Sequence, residues 1–327
     1  MAVPYAVGLV LDHYPRFTPA QVRARLRYST FVDPKRRYLY FEVPKAACTS
    51  MKYLLRHLQG DPPLRTAFVS GMPLTRRDMF IHVRENVRLP SLTDLPDTAQ
   101  KEVLTAPDFL RMTIVRNPYA RIGSAWANKV ALCEPSFEIA GAGGNPIDPN
   151  GPSFADFVAF LRTEQLDVAN PHWSWQTTHI FARAFDFNLV GKVEALSECL
   201  ERFARHLGLE AVPVLPARNE TTFVRAAYDP GLAETVYELY RPDFELFGYA
   251  RDSWPSAAAP ALDPLVAKAL AEVIERNRVI GDLYAALDRA RARLEVAERL
   301  GLAAITDRLA ALYRGARALR RNRAPLA

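Results

Sequence analysis

The sequence is poor in cysteine and has no long apolar run. Its three cysteines, Cys48, Cys133 and Cys199, are scattered over 327 residues, too few and too far apart for a disulfide framework or a zinc site. The opening MAVPYAVGLVLDHYPRF lacks a basic segment ahead of a long apolar stretch. Neither secretion nor membrane insertion is indicated, and a reducing cytoplasm is the simplest compartment. No glycine-rich Gly-Lys-Ser/Thr loop and no evident magnesium carboxylate occurs, which argues against an ATP-dependent phosphotransferase. Charge of one sign is also scarce in most of the chain. The net charge is +6, yet from Pro260 onward 13 Arg or Lys face 8 Asp or Glu, which accounts for five of the six. The remainder is nearly balanced, so no nucleic-acid role follows from a basic pI.

What the sequence does contain is organised around Tyr38 to Leu58, YLYFEVPKAACTSMKYLLRHL. Tyr38 to Val43 suits a buried strand, and Pro44 cannot donate to a continuing ladder. Lys45, Ala46, Ala47 and Cys48 are compact enough to let backbone approach a ligand, and Thr49 or Ser50 can cap a helix from Met51 to about Leu58. Free N–H groups, the positive helix end and Lys45 would then converge on one anion. A capped turn of this kind also occurs with no ligand.

A second corner of the same type follows. Phe109 to Val115 reads as a buried strand running into Arg116-Asn117-Pro118, with Pro118 opening a helix that carries Ser124 two turns in. Taken singly, Arg116 can equally be an ion-paired arginine and Ser124 an ordinary helix serine. Between the corners lies His82. Beyond them Cys133 to Gly151 is a Gly/Pro/Asn loop or a lid, Ser153 caps SFADFVAFL, and NPHWSWQ gathers His172, Trp173 and Trp175 as core or as a pocket lining. Phe185 to Lys192 is a further strand, followed by a helix from Leu196 to Leu207, and Leu232 to Tyr240 is a short helix ahead of RPDFELFGY. Alternating strands and helices argue an α/β fold with a central, mainly parallel sheet flanked by helices.

Pro255 to Pro260 reads as a linker dividing residues 1–255 from a helical extension, 256–327. There Val266, Val273, Ile280, Leu287 and Leu294 recur every seven residues, with Ala269, Leu283, Ala290 and Ala297 as partners. Arg276 interrupts the seam and Gly301 ends it, so a helical hairpin or short coiled coil is expected, with dimer formation through these helices as one outcome. A noncatalytic scaffold working through this basic tail is the alternative from another class.

Taken together, EVPKAACTSMK, TIVRNPYARIGSAW, NPHWSWQ, FDFNLVGKVEAL and YRPDFELFGY resemble, in this order, segments of the type 2 carbohydrate sulfotransferases, which include the chondroitin and heparan sulfate 2-O enzymes. The resemblance covers about Tyr38 to Tyr249. It implies a P-loop-like nucleotide-binding fold and 3′-phosphoadenosine 5′-phosphosulfate (PAPS) as donor. Lys45, Ala46, Ala47, Cys48, Thr49, Ser50 and Met51 would form its 5′-phosphosulfate loop, and Arg116 and Ser124 its 3′-phosphate site. Lys45 would also act on the leaving oxygen. A glycan or glycoconjugate hydroxyl would be the acceptor, with no metal. His82 falls in the segment where the heparan 2-O enzymes carry their base, and His172 is the second candidate. Ala47 stands for the usual Gly and Ser50-Met51 for Asn-Trp; the cysteine pair of animal relatives and a membrane anchor are both missing, and these two absences fit a bacterial cytosolic enzyme.

Overall fold

The computed structural model describes residues 3–65, 77–135, 137, 139–141, 143–145, 147–213, 215, 225–255 and 262–299. Helices α1 (Tyr5–His13) and α2 (Pro19–Ser29) lead into strands β1 (Thr30–Asp33) and β2 (Tyr38–Phe41), followed by α3 (Cys48–His57). Then come α4 (Asp97–Thr105), β3 (Leu110–Val115), α5 (Pro118–Ala125), α6 (Phe154–Leu161), α7 (Gln176–His179), β4 (Leu189–Lys192), α8 (Leu196–His206), α9 (Pro230–Phe247) and α10 (Pro264–Arg299). Among the described residues the sheet has four strands in the order β1-β2-β3-β4. β2, β3 and β4 run parallel, while β1 pairs antiparallel with β2 through Thr30↔Phe41 to Asp33↔Tyr38. The sheet is therefore parallel except for one edge, and TFVD is a strand that the sequence reading passed over.

Both faces of the sheet are covered. In β2, Leu39 and Phe41 join a core with Val7, Val10, Val22 and Val103 from α1, α2 and α4. Tyr38 and Tyr40 point the other way, into a core with Met51 and Leu55 of α3 and Phe203 of α8. Successive side chains on a strand alternate in this way, so β2 reads as an unbroken apolar run with both faces buried. Gly191 in β4 is required by packing: a Cβ there would lie 2.3 Å from Cys199 Sγ on α8. A third core joins α5, α6, α9 and Ile274 of α10.

Several boundaries differ from expectation. The last strand covers only Leu189–Lys192, not Phe185 onward; Asn188 instead turns its side chain to Arg111 N–H and Phe109 C=O. Helix α9 continues through a kink at Tyr240 and past Pro242 to Phe247, where Gly248, at φ 62°, ends it; a proline costs a helix one N–H and bends it without ending it when packing on both sides persists. Of the expected hairpin or coiled coil, the described residues contain one helix, Pro264–Arg299. Its buried side chains, Ile274 and Asn277, and its half-buried Leu270, Val273 and Ile280, recur every three or four residues, whereas Leu283 and Leu294 of the expected seam are 64% and 54% exposed. That stripe docks the first half of the helix on the body. Arg276 is exposed and interrupts nothing. Residues 256–260 of the expected linker, Gly301 and the basic end beyond it lie outside the described residues. No described helix is long and apolar enough to cross a membrane.

Candidate active site

The chain leaves β2 through Glu42, Val43 and Pro44 into a turn in which Lys45 (φ 68°) and Ala47 (φ 57°) are both left-handed. Non-glycine residues cost roughly 1–2 kcal/mol each in that region, and turns of this type let successive N–H groups converge on an anion. Ala47 is the N-cap of α3 and supplies no side-chain acceptor, so the helix starts at Cys48. The expected capping by Thr49 or Ser50 is thus overturned: the left-handed Ala47 turns the chain directly into the helix, and both hydroxyl residues fall inside its first turn. Met51 N–H makes the first intrahelical bond, to Ala47 C=O at 3.0 Å. The N–H groups ahead of it have no intrahelical acceptor, and they share this spot with the half-buried Lys45. Burial first, and then the cations Lys129 and Arg116, bring the Lys45 ammonium down to about 7, with Glu134 and Cys48 pulling the other way.

The second corner sits on the neighbouring parallel strand. Asn117 caps α5 by accepting from Tyr119 N–H at 2.9 Å, with Pro118 in the first turn as expected. Arg116 is clamped from both sides by Gln176, whose Oε1 accepts from Arg116 N–H at 2.9 Å while its Nε2 donates to Arg116 C=O at 2.8 Å. Asp243 on α9 holds Gln176 in turn, accepting from its backbone N–H at 2.8 Å. Arg116 Nη1 donates to Lys45 C=O at 3.2 Å, which ties the two corners together. Ser124 lies on α5, half-buried.

Arg121 organises the region from beneath and was not legible as a site residue. Its fully buried guanidinium donates to Pro44 C=O (3.1 Å), Ser174 C=O (2.8 Å) and Pro171 C=O (2.8 Å). One side chain thereby fixes the NPHWSWQ turn, with His172, against the entrance of the Lys45 turn.

The two candidate histidines stand in different environments. His82 places Nε2 3.1 Å from Thr49 Oγ1 and Nδ1 3.1 Å from Lys52 Nζ. Lys52 also pairs with Glu42 at 2.6 Å, both side chains 2% exposed. Burial alone would lower the Lys52 ammonium, but the carboxylate beside it more than offsets this, and its pKa is raised. Glu42, Cys48 and His82 bring three possible metal-ligand atoms within 4.8 Å of one another. The Lys52 ammonium already bridges two of them, and a divalent ion would have to displace it. His172 packs at right angles to Phe137, with the ring centroids 5.2 Å apart. Beside it, α5 widens into a π-helical turn over Trp126–Val130, a distortion frequent at functional sites. That turn carries Lys129, which is paired with Glu134 and lies over Phe137.

Residues 28–250 match the model of the Sulfotransferase family. The chain belongs to the sulfotransferase family. It is 25% identical over 258 residues to carbohydrate sulfotransferase 14 of Danio rerio, covering 71% of this chain and 65% of that one. It is 24% identical over 243 residues to carbohydrate sulfotransferase 11 of Rattus norvegicus (67% and 66%) and 26% over 249 residues to carbohydrate sulfotransferase 10 of Xenopus laevis (67% and 66%). It thus spans just under two thirds of these relatives' own length. No solved structure gives a significant match. The sulfotransferase match contains every candidate residue above, and α10 lies outside it.

Proposed function

We propose that the protein transfers a sulfuryl group from PAPS to a hydroxyl of a carbohydrate or glycoconjugate, on a P-loop-like nucleotide-binding fold. The observation that carries this reading is the pair of strand-to-helix corners on neighbouring parallel strands, joined by the bond from Arg116 to Lys45 C=O. The residues fit a donor with phosphate at two ends: an uncapped helix start beside a lysine crowded by other cations at one corner, and a clamped arginine at the other. The relatives' names, carbohydrate sulfotransferases, support the acceptor class.

When bound, PAPS supplies the sulfuryl group and departs as adenosine 3′,5′-bisphosphate. The backbone N–H groups of Ala47, Cys48, Thr49 and Ser50, with the Thr49 and Ser50 hydroxyls, would hold the 5′ end, while Ala46 and Met51, whose N–H groups bond to Val43 and Ala47 C=O, would shape the loop around it. Lys45 would set positive charge where the leaving oxygen develops negative charge, an interaction that strengthens in the transition state. Arg116 would offer its planar fork to the 3′-phosphate, with Ser124 as a second donor. A neutral histidine on the acceptor side would take the hydroxyl proton.

Calorimetric titration with adenosine 3′,5′-bisphosphate, and incubation with labelled PAPS over a glycan panel, test the reading. Binding that is lost in Lys45→Ala and Arg116→Ala is expected. Folded wild-type protein that binds no bisphosphate would overturn it.

A further inference from the structure

We infer that His172 is the general base, and that His82, Lys52 and Glu42 are positioning residues that hold the Thr49 hydroxyl. This rests on the sulfuryl-transfer reading and assigns roles within the same site. The argument is one of proton counting. An ammonium has no lone pair, so the 3.1 Å contact between Lys52 Nζ and His82 Nδ1 requires the nitrogen to accept. The hydrogen of neutral His82 then sits on Nε2 and donates to Thr49 Oγ1 at 3.1 Å. Protonating Nδ1 as well would set an imidazolium against the Lys52 ammonium. His82 therefore has no ring nitrogen at which to receive a proton. Its bond into Thr49 Oγ1 instead fixes that hydroxyl in the first turn of α3.

The opposite tautomer is imposed on His172. Asn170 Oδ1 accepts from the His172 backbone N–H at 3.0 Å, which fixes which end of the amide faces the ring. The same oxygen lies 2.8 Å from His172 Nδ1, and since a carbonyl oxygen only accepts, Nδ1 carries the hydrogen. Nε2 is left with the lone pair, as a base requires. The near-perpendicular packing of Phe137 on the imidazole restrains its plane, and Arg121 fixes the turn that presents it.

Burial, and then the cations and titratable groups around it, namely Lys129 on the π-helical turn, Lys45 after β2, His82, and Arg121 on α5, hold the His172 pKa well below the usual imidazole value. His172 is therefore neutral at pH 7. A base is more effective as its pKa approaches the working pH. An anion lying on Lys45 offsets part of that positive field, so donor binding raises the His172 pKa toward the useful range. In the transfer, the acceptor oxygen bonds to sulfur, the bond from sulfur to the phosphate oxygen breaks with its electron pair going to that oxygen, and the acceptor proton passes to His172 Nε2 and later to solvent.

Imidazole 15N spectra of the wild-type protein test the tautomers. The expected result is a protonated Nδ1 and bare Nε2 in His172 and the reverse in His82, and a bare Nε2 in His82 would overturn the assignment. Added bisphosphate should raise the pKa at which His172 titrates; an unchanged or lowered value counts against the proposal. In turnover, His172→Gln should lower kcat about a hundredfold or more, abolish the acidic limb of the pH profile and leave bisphosphate affinity within about twofold. His82→Gln should keep that limb and weaken bisphosphate binding. An exchange of these two behaviours would overturn the roles. Absence of bisphosphate binding by the wild type defeats the donor reading alone, because the 15N spectra still decide the tautomers, and they need no variant to fold.

Discussion

At Lys45, burial and the charges of Lys129 and Arg116 set an ammonium to titrate at about 7, and this has a directional consequence for ligand affinity. The free protein loses the Lys45 proton above about 7, while an anion favours the protonated form. Bisphosphate affinity should therefore fall as pH rises above 7, by at most tenfold per unit because one proton is linked. Lys45→Arg, which stays charged, should flatten that slope, and titration calorimetry across the range reads it. Lys52 and Glu42 pose a different problem, since both are buried and each leaves the other unpaired if removed. Lys52→Met should destabilise the protein by about 3–5 kcal/mol at neutral pH. Burial already raises the Glu42 pKa, and without Lys52 the folded state favours the neutral acid still more. The penalty should accordingly shrink as pH falls toward the ordinary carboxylate range, measurable by urea unfolding at several pH values. Lys45 and Arg116 were legible in the sequence because prolines punctuate the strand exits beside them. Lys52, Arg121 and Gln176 were not, since a polar residue at a helical position looks solvated until its distant partners are known; Arg121 is 77 residues from Pro44.

Among the elements, the strands and helices with strong local signals were readable: β2 and β3 as apolar runs, α5 from Pro118, and α6 from the reciprocal bonds between Ser153 and Asp156. The four residues of β1 were too few to show a period, and the π-helical turn after α5 has no compositional mark. The start of α3 was misplaced for a physical reason, because a capping serine or threonine is the common solution at a helix start and left-handed Ala47 is not. The contact between β4 and α8 was also invisible, although Gly191 marks it. Gly191→Ala would set a methyl group within 2.3 Å of Cys199 Sγ. The substitution should cost about 1–3 kcal/mol, and combined with Cys199→Ala it should cost less than the two single changes added together. Thermal unfolding of the four proteins in that cycle gives the coupling.

For the molecule as a whole, α10 is the element whose role changed most between sequence and structure. Asn277 donates to Leu132 C=O at 2.8 Å, Arg278 pairs with Asp148 at 2.6 Å, and Ile274 is 3% exposed in the core shared by α5, α6 and α9. The first half of the helix is thus part of the body. Ile274→Ala should remove about 2–5 kcal/mol from a single unfolding transition. A separate early transition, with the main one unmoved, would show that the helix melts on its own.

The order of the strands carries one more consequence. Among the described residues space and chain follow the same sequence, β1-β2-β3-β4, so each of these strands joins the edge left by the one before it and none of them has to be slipped between partners already paired. A chain emerging from its amino end can therefore build the sheet by addition at a single growing edge. Lys45 and Arg116 leave neighbouring strands once β3 has joined, but Arg116 is clamped only by Gln176, which belongs to the same later segment as His172. One late segment therefore finishes both ends of the site, fixing the arginine that would hold the anion and supplying the histidine that would take up the proton.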